Sequence, residues 1–139
     1  MIGREENNQL MADIWLRATL KAHDFVPVDY WHSNHKKMSE VYLPQTENYS
    51  FRENGRIAGF ISLSADHIEA LFVEPDMQGR GVGGALLEYA KNLHQVLTLA
   101  VYEENKNAVA FYLRNGFEIV ERRNDDNTNC PELFMIWRR

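Results

Sequence analysis

The sequence has little that would build a cross-linked, membrane-spanning or nucleic-acid-binding protein. Cys130 is the only cysteine among 139 residues, so no disulfide can form within the chain and a cytoplasmic location is expected. No apolar run approaches the length of a bilayer span, and the N-terminal residues lack the basic-then-apolar order of a signal peptide. The net charge of -5 argues against a general affinity for phosphate backbones. We therefore expect a partner that is neither a membrane nor a nucleic acid.

The composition is that of one ordinary globular domain. Apolar residues make up 45% of the chain and charged residues 25%, which predicts a single domain over residues 1–139. His32 and His35 lie three apart, but no carboxylate or third histidine completes a metal-binding set, so no metal is expected. A monomer and a homodimer are equally compatible with the sequence.

Hydrophobic periodicity predicts four helices. The first runs from Asn8 to Ala22, the second is capped by Asp29 and continues through Leu43 to its end at Pro44, the third covers Val82–Leu93 with Leu93 on its buried face, and the fourth covers Ala108–Leu113. Asn115-Gly116 ends the fourth helix, since glycine takes the left-handed cap conformation at low cost.

Strand-like runs separate these helices. Asn54-Gly55 predicts a hairpin turn between a strand near Tyr49–Arg52 and a second one over Ile57–Leu63. Further strands are predicted at Ile68–Val73, Leu97–Val101, Phe117–Arg122 and Leu133–Trp137, with Asn124–Asn129 as a loop between the last two. The order ααβββαβαββ indicates an α/β protein with a mixed sheet, in which the strand-helix-strand crossover makes the third and fourth strands parallel.

A glycine-rich segment leads from a strand into the third helix. Four glycines fall in the six positions from Gly79 to Gly84, and Arg80 adds a positive charge. Bare amides at a helix N-terminus favour a phosphate or pyrophosphate, because oriented N–H groups replace water around the anion.

This glycine spacing also matches the dinucleotide fingerprint, with Glu103 at a suitable distance beyond it. Three strands precede the loop, and Pro75 lies between the strand and Gly79, an arrangement that does not fit a dinucleotide fold. A mononucleotide P-loop is excluded because no Lys-Ser or Lys-Thr pair closes the run.

The segment Val73–Gly83 resembles the Val-x-Pro-x-x-Gln/Arg-x-x-Gly-x-Gly/Ala signature of the GNAT superfamily of N-acetyltransferases. A second family pattern follows downstream, formed by Asn105, Ala108, Phe111-Tyr112 and Gly116-Phe117. The resemblance implies the GNAT fold, with a first strand that is short or absent and confined to Met1–Arg4. It also implies acetyl-coenzyme A as cosubstrate and an amine, on a small molecule or a protein, as acceptor.

By this resemblance, strand Ile68–Val73 splays away from Leu97–Val101 and the pantetheine arm of the cosubstrate enters the gap. Leu71, Phe72 and Val73 would hydrogen-bond the arm and the thioester, with the Leu71 N–H at the oxyanion. The glycine loop would bind the pyrophosphate, and Asn105 would either bind the arm or serve as a helix cap. The implied cosubstrate site comprises Leu71, Phe72, Val73, Gln78, Gly79, Arg80, Gly81, Val82, Gly83, Gly84, Asn105 and Tyr112.

Two residues are candidates for proton transfer. Tyr112 matches the family tyrosine that protonates the departing thiolate. Glu69 lies two residues before Leu71, so strict strand alternation puts it on the same face, close to an incoming amine that it could deprotonate directly or through water; His67 is the alternative base. His23, Asp24 and Phe25 are candidate acceptor contacts, because the loop between the first two helices often has this role in the family.

Two other functions compete with direct acetyl transfer to a primary amine through a tetrahedral intermediate. A non-catalytic acyl-coenzyme A sensor would keep the fold and the cosubstrate site but release no free thiol. An oxidoreductase that uses a dinucleotide would prefer a nicotinamide or flavin nucleotide to coenzyme A. Tyr112 favours the transferase.

Overall fold

The computed structural model describes residues 1–22 and 28–139, in which four α-helices pack on the two faces of one sheet. The helices are α1 (Asn8–Ala22), α2 (Val28–Lys37), α3 (Val82–Leu93) and α4 (Lys106–Arg114). The strands are β1 (Ile2–Arg4), β2 (Glu47–Glu53), β3 (Arg56–Ser64), β4 (His67–Val73), β5 (Val96–Tyr102), β6 (Glu118–Asp125) and β7 (Cys130–Arg138). Within these described ranges, no helix is long and apolar enough to cross a membrane.

The sheet has the strand order β1-β2-β3-β4-β5-β7-β6. Neighbouring strands are antiparallel except β4 and β5, which run parallel across the α3 crossover. The predicted mixed α/β fold is therefore confirmed. The first strand is present in the abbreviated form that was expected, at Ile2–Arg4.

A buried carboxylate fixes this short first strand. Glu5 accepts hydrogen bonds from Ser50 Oγ at 2.6 Å and from the guanidinium of Arg52 at 2.9 and 3.0 Å. Burial alone would raise the pKa of Glu5, but the hydrogen bonds from Arg52, Ser50 and the Asn7 amide together outweigh it and lower the pKa. Three paired residues alone would hold an edge strand weakly, so these contacts are needed to stabilise it.

The sheet separates two apolar clusters. On one face α3 and α4 pack with side chains such as Leu86, Leu97 and Tyr112, which we call the α3 face. On the other face α1 and α2 pack with side chains such as Trp31 and Phe60, which we call the α1 face. The amphipathic periodicity of α1 and α3 produces this arrangement, because each helix turns one apolar stripe to the sheet.

Several boundaries differ from those predicted. Asp29 lies inside the first turn of α2 instead of capping it, and α2 ends at Lys37, where a π-helical turn over Met38–Tyr42 begins. Pro44 therefore lies in a 3-10 turn, Leu43–Gln45, and does not terminate an α-helix. Leu93, predicted on the buried face, is half exposed at the last position of α3.

The predicted loop Asn124–Asn129 is also shorter than expected. Asn124 and Asp125 belong to β6 and pair with Pro131 and Cys130, which leaves a tight turn between β6 and β7. Polar side chains are compatible with a strand here because β6 is an exposed edge.

Candidate active site

The parallel strands β4 and β5 pair only at their beginning. Cα partners are His67 with Thr98 and Ile68 with Leu99, and beyond these the two strands diverge. Two clefts, of about 550 Å³ and 220 Å³, are lined by β4 beyond this point. The gap implied by the family resemblance is therefore present, and we call it the seam.

A β-bulge at Glu69 accompanies the opening. Ser62 pairs with Ala70 and Leu63 pairs with Ile68, so Glu69 has no directly opposed partner in β3. Ile68 and Leu71 accordingly pack on the α3 face, whereas Ala70 packs on the α1 face. The prediction that alternation places Glu69 on the face of Leu71 is wrong, because the bulge inserts Glu69 between Ile68 and Ala70 and interrupts the alternation, so Glu69 lies on the side of Ala70.

The backbone of Leu71 and Val73 is directed into the seam. The Glu74 N–H donates to the Ala58 carbonyl, so these two residues form a hydrogen-bonded pair of the β3–β4 ladder. In an antiparallel ladder every second pair is hydrogen-bonded, and the next such pair is Phe72 with Phe60. Leu71 and Val73 then turn their N–H and C=O groups towards the side from which β5 has departed. Phe72 differs from the expectation, since its backbone groups face β3 and its side chain packs on the α1 face.

The glycine loop reaches α3 through left-handed backbone. Gly79 has φ 83° and Gly81, the N-cap of α3, has φ 82°, a region that costs side-chain-bearing residues energy. A Cβ on Gly83 would lie in ordinary van der Waals contact, 3.6 Å from the side chains of Phe111 and Val73, so the first turn of α3 lies directly beside the seam. Val82, the first residue of α3, is buried in the apolar cluster of the α3 face.

Two lysines, several amide groups and one acidic residue, Glu104, line the larger cleft. Its lining includes Gln78, Gly83, Lys21 and Lys106. Gln78 is held in place, because its Nε2 donates to the Val73 carbonyl at 3.3 Å and its Oε1 accepts from Lys21 Nζ at 3.1 Å. Arg80 is exposed on the loop. This end of the seam can bind an anion.

Tyr112 lines both clefts from α4. Its ring packs edge-on against Phe111 and Phe117, at centroid distances of 5.2 and 5.5 Å. Burial raises the pKa of the Tyr112 phenol well above its ordinary value, so the hydroxyl stays neutral and can donate a hydrogen bond. Asn105 also lines both clefts and caps α4, its Oδ1 accepting from the Ala108 N–H at 3.3 Å.

The two candidate bases occupy different surroundings. Glu69 is exposed and lines the 220 Å³ cleft, together with a neighbouring 440 Å³ pocket on the α1 face. The imidazole of His67 lies 2.7 Å from Thr98 Oγ1 at the closed end of the seam, and His67 lines none of these three cavities. His23, Asp24 and Phe25, the predicted acceptor contacts, lie outside the described residues.

Sequence reasoning missed residues whose importance depends on tertiary contacts. Glu74, next to the signature proline, is 6% exposed and paired with Arg17 of α1. A Cβ on Gly59 would come within 2.8 Å of the Phe72 carbonyl oxygen, so glycine permits β3 and β4 to pack under the loop. A glycine inside the apolar run Ile57–Leu63 was the available signal for such a close approach.

No group of three or more His, Cys, Asp or Glu residues that could hold a metal ion occurs in the described part of the chain. His35, considered earlier for a metal site, instead places Nε2 2.9 Å from Asp13 Oδ1.

Comparisons with known proteins point to one family. Residues 45–119 match the model of the acetyltransferase (GNAT) domain. Peptidyl-lysine N-acetyltransferase YiaC of Escherichia coli K12 is 34% identical over 99% of this chain and 96% of its own length. Peptidyl-lysine N-acetyltransferase YjaB of the same strain is 35% identical over 93% of this chain and 88% of its own length.

Solved structures show the same fold. The solution structure of apo YjaB from Escherichia coli superimposes with a TM-score of 0.86 at 32% identity, over 99% of this chain and 96% of that one. An aminoglycoside 6'-N-acetyltransferase complexed with coenzyme A gives a TM-score of 0.70 at 14% identity, over 99% and 96% of the two chains, and this likeness concerns the fold alone. The chain therefore belongs to the GNAT family and is an N-acetyltransferase.

Proposed function

We propose that this enzyme transfers the acetyl group of acetyl-coenzyme A directly to the side-chain amine of a lysine in a protein. The observation that carries the proposal is the seam, in which the backbone groups of Leu71 and Val73 have no strand partner and lead to the glycine loop. The relatives named peptidyl-lysine N-acetyltransferases, at 34% and 35% identity, support lysine as the acceptor.

The pantetheine arm lies in the seam and hydrogen-bonds Leu71 and Val73 as an added strand would. The pyrophosphate binds the amides of Gly79–Gly84, where the positive end of the α3 dipole favours an anion. Lys21 and Lys106 in the cleft lining add positive charge. The neighbour solved with coenzyme A has the same fold, which supports this placement.

The lysine amine must lose a proton before it attacks the thioester. With an ordinary pKa of about 10.4, deprotonation at pH 7 costs about 4 to 5 kcal/mol. Glu69 takes this proton, directly or through water, since it lines the cleft that Leu71 and Tyr112 also line. Its place on the α1 face is the side from which an acceptor can approach β4.

The C–N bond then forms and the carbonyl oxygen becomes an oxyanion, which the Leu71 N–H stabilises. As the C–S bond breaks, Tyr112 donates a hydrogen bond to the departing sulfur. A thiol with an ordinary pKa of about 8.5 is a stronger acid than this buried phenol, so complete proton transfer from Tyr112 is uphill. The hydrogen bond stabilises the developing thiolate. As the intermediate collapses to the amide the nitrogen loses its second proton to water, and the thiolate is protonated as solvent enters.

An acceptor screen by mass spectrometry tests the proposal. The enzyme is incubated with acetyl-coenzyme A and a mixture of Nα-blocked lysine peptides, peptides with only a free N-terminus, and small polyamines, while free thiol is measured in parallel. We expect acetylation of the lysine peptides with one thiol released per acetyl group. Acetylation confined to N-termini or polyamines would contradict the acceptor. Binding of acetyl-coenzyme A without thiol release would instead show a sensor.

A further inference from the structure

A second carboxylate, besides that of Glu69, lies at the seam and belongs to β7. Glu132 lines the 220 Å³ cleft that Glu69 and Tyr112 also line. It pairs across the sheet with Tyr102 of β5, and the side chain of Tyr102 packs on the α1 face. Because directly paired residues share a face, Glu132 lies on the α1 face, beside the opening of the seam.

Aromatic rings form a wall of the same cleft. Trp31 packs edge-on against Trp15 and Tyr102, at centroid distances of 6.0 and 6.3 Å, and all three line the cleft. Such rings pack well against a methylene chain and attract a cation through their π faces.

A buried hydroxyl also lacks a partner in this cleft. Thr19 of α1 is 1% exposed and lines the cleft, yet its Oγ1 makes no hydrogen bond within the described ranges of the chain. A buried polar atom without a partner costs about 1 to 3 kcal/mol, so its retention points to a ligand group that binds there.

The negative charge of Glu132 is only partly compensated by the protein. Burial, followed by the negative charge of Asp125, raises the pKa of the Glu132 carboxyl, and the positive charge of Arg123 opposes this. The Arg123 guanidinium lies 4.0 Å from the centroid of the Phe134 ring. Glu69, in the same cleft, adds a further negative charge. A bound cation would therefore be stabilised by this cluster.

We infer that Glu132 and Thr19 bind the ammonium group of the incoming lysine, while its methylenes lie against Trp31 and Tyr102. This inference rests on the proposed function and adds a selectivity to it. The site recognises the charged form of a long, unbranched primary amine first, and the proton then passes to Glu69 or water. Glu132 is thus an acceptor-binding residue, distinct from the groups that hold the cosubstrate.

The test compares Glu132→Gln with Glu118→Gln, which makes the same change of charge at an exposed position of β6 outside the clefts. Steady-state kinetics give KM for a lysine peptide and for acetyl-coenzyme A. Calorimetry in the presence of coenzyme A gives Kd for that peptide and for a matched peptide with norleucine in place of lysine. Norleucine keeps the methylenes and lacks the ammonium group.

We expect Glu132→Gln to raise the peptide KM at least about tenfold, the size expected for loss of a charge-assisted hydrogen bond. KM for acetyl-coenzyme A should stay within about twofold, and the preference for lysine over norleucine should disappear. Thr19→Val, which removes the hydroxyl but keeps the shape, should raise the peptide KM by about threefold. Glu118→Gln should match the wild type.

An unchanged peptide KM and an unchanged preference for lysine in Glu132→Gln would overturn the inference. A lower kcat with an unchanged peptide KM would also overturn it, because Glu132 would then act in proton transfer and not in binding. If the wild type acetylates no lysine peptide, the proposed function fails, and the calorimetric comparison of the two peptides still decides whether Glu132 binds an ammonium group. Thermal unfolding of each variant verifies that it is folded.

Discussion

Arg17 of α1 binds Glu74 through two hydrogen bonds, from Nε to Oε1 at 2.6 Å and from Nη2 to Oε2 at 2.7 Å. Glu74 directly follows β4 and precedes the turn that begins the glycine loop. The hydrogen bond to Glu74 raises the pKa of Arg17. One ion pair therefore joins the helix that packs on the α1 face to the end of β4 that leads into the glycine loop.

Arg17→Gln should lower the free energy of unfolding by about 1 to 3 kcal/mol, because it leaves the buried Glu74 carboxylate without its charged partner. Urea denaturation measures this difference. Arg56→Gln is the matched control, since its partner Asp76 is exposed, and it should change stability by less than about 1 kcal/mol. Equal losses in the two variants would contradict the role of burial.

Tyr112→Phe should lower kcat at least about tenfold, because it removes the hydrogen bond to the departing sulfur and retains the ring packing with Phe111 and Phe117. The calorimetric Kd for acetyl-coenzyme A should change little, since the seam backbone and the glycine loop are unaltered. Turnover equal to that of the wild type would remove Tyr112 from the reaction.

Gly81→Ala should weaken acetyl-coenzyme A binding, whereas Gly55→Ala should not. Both glycines have left-handed φ values, 82° and 78°, and a Cβ on either meets no atom within 4 Å. Each substitution therefore carries a similar backbone cost of about 1 to 2 kcal/mol. Thermal unfolding should show similar losses of stability, and calorimetry should show reduced affinity for Gly81→Ala alone. Equal affinities would argue against phosphate binding by the loop.

The lowered pKa of Glu5 predicts stability that is lost in acid. A carboxyl whose pKa is lower in the folded state stabilises the fold above its ordinary pKa of 4.5, and that contribution disappears as the pH falls through the lowered value. Glu5→Gln should therefore lower Tm at neutral pH, and its difference from the wild type should shrink in acid. A difference independent of pH would mean that shape, not charge, is responsible.

The pH dependence of stability should have the opposite sign for Glu132. Its raised pKa means that the folded state favours the protonated carboxyl, so the contribution of Glu132 to stability is largest below its ordinary pKa of 4.5 and is lost as the pH rises through the raised value. Glu132→Gln should raise Tm at neutral pH and match the wild type in acid. A decrease of Tm at neutral pH would indicate that the carboxylate stabilises the fold.

The sequence was sufficient for the elements whose signals are local. The bounds predicted for α1 and α3 agree with the structure because apolar periodicity defines both helices and the glycine loop marks the start of α3. Asn54, with φ 53°, and Gly55 form the predicted hairpin turn, and Gly116, with φ 89°, ends α4 as predicted. The signature motifs also identified the loop and Tyr112, which line or lead to the seam.

Features that depend on distant contacts were not accessible in this way. The π-helical turn after Lys37 and the bulge at Glu69 leave the local hydrophobic pattern almost unchanged, so alternation gave the wrong face for Glu69. Glu74 and Glu132 look like ordinary surface carboxylates in the sequence. Only the packing of α1 and β6 against the neighbouring strands reveals that Glu74 is paired with Arg17 and that the negative charge of Glu132 is not fully compensated.

The bulge gives β4 one residue more than its pairing with β3 requires, and that residue is Glu69. Replacing Glu69 by another amino acid would alter one side chain and keep every later residue on its present side. Removing that position would make Ile68 and Ala70 consecutive opposite Leu63 and Ser62, so the strand would alternate regularly and Leu71 and Val73 would keep their present faces. Loss of this one codon would therefore remove a carboxylate and straighten the strand while keeping its register, whereas loss of any later codon in the strand would shift the register.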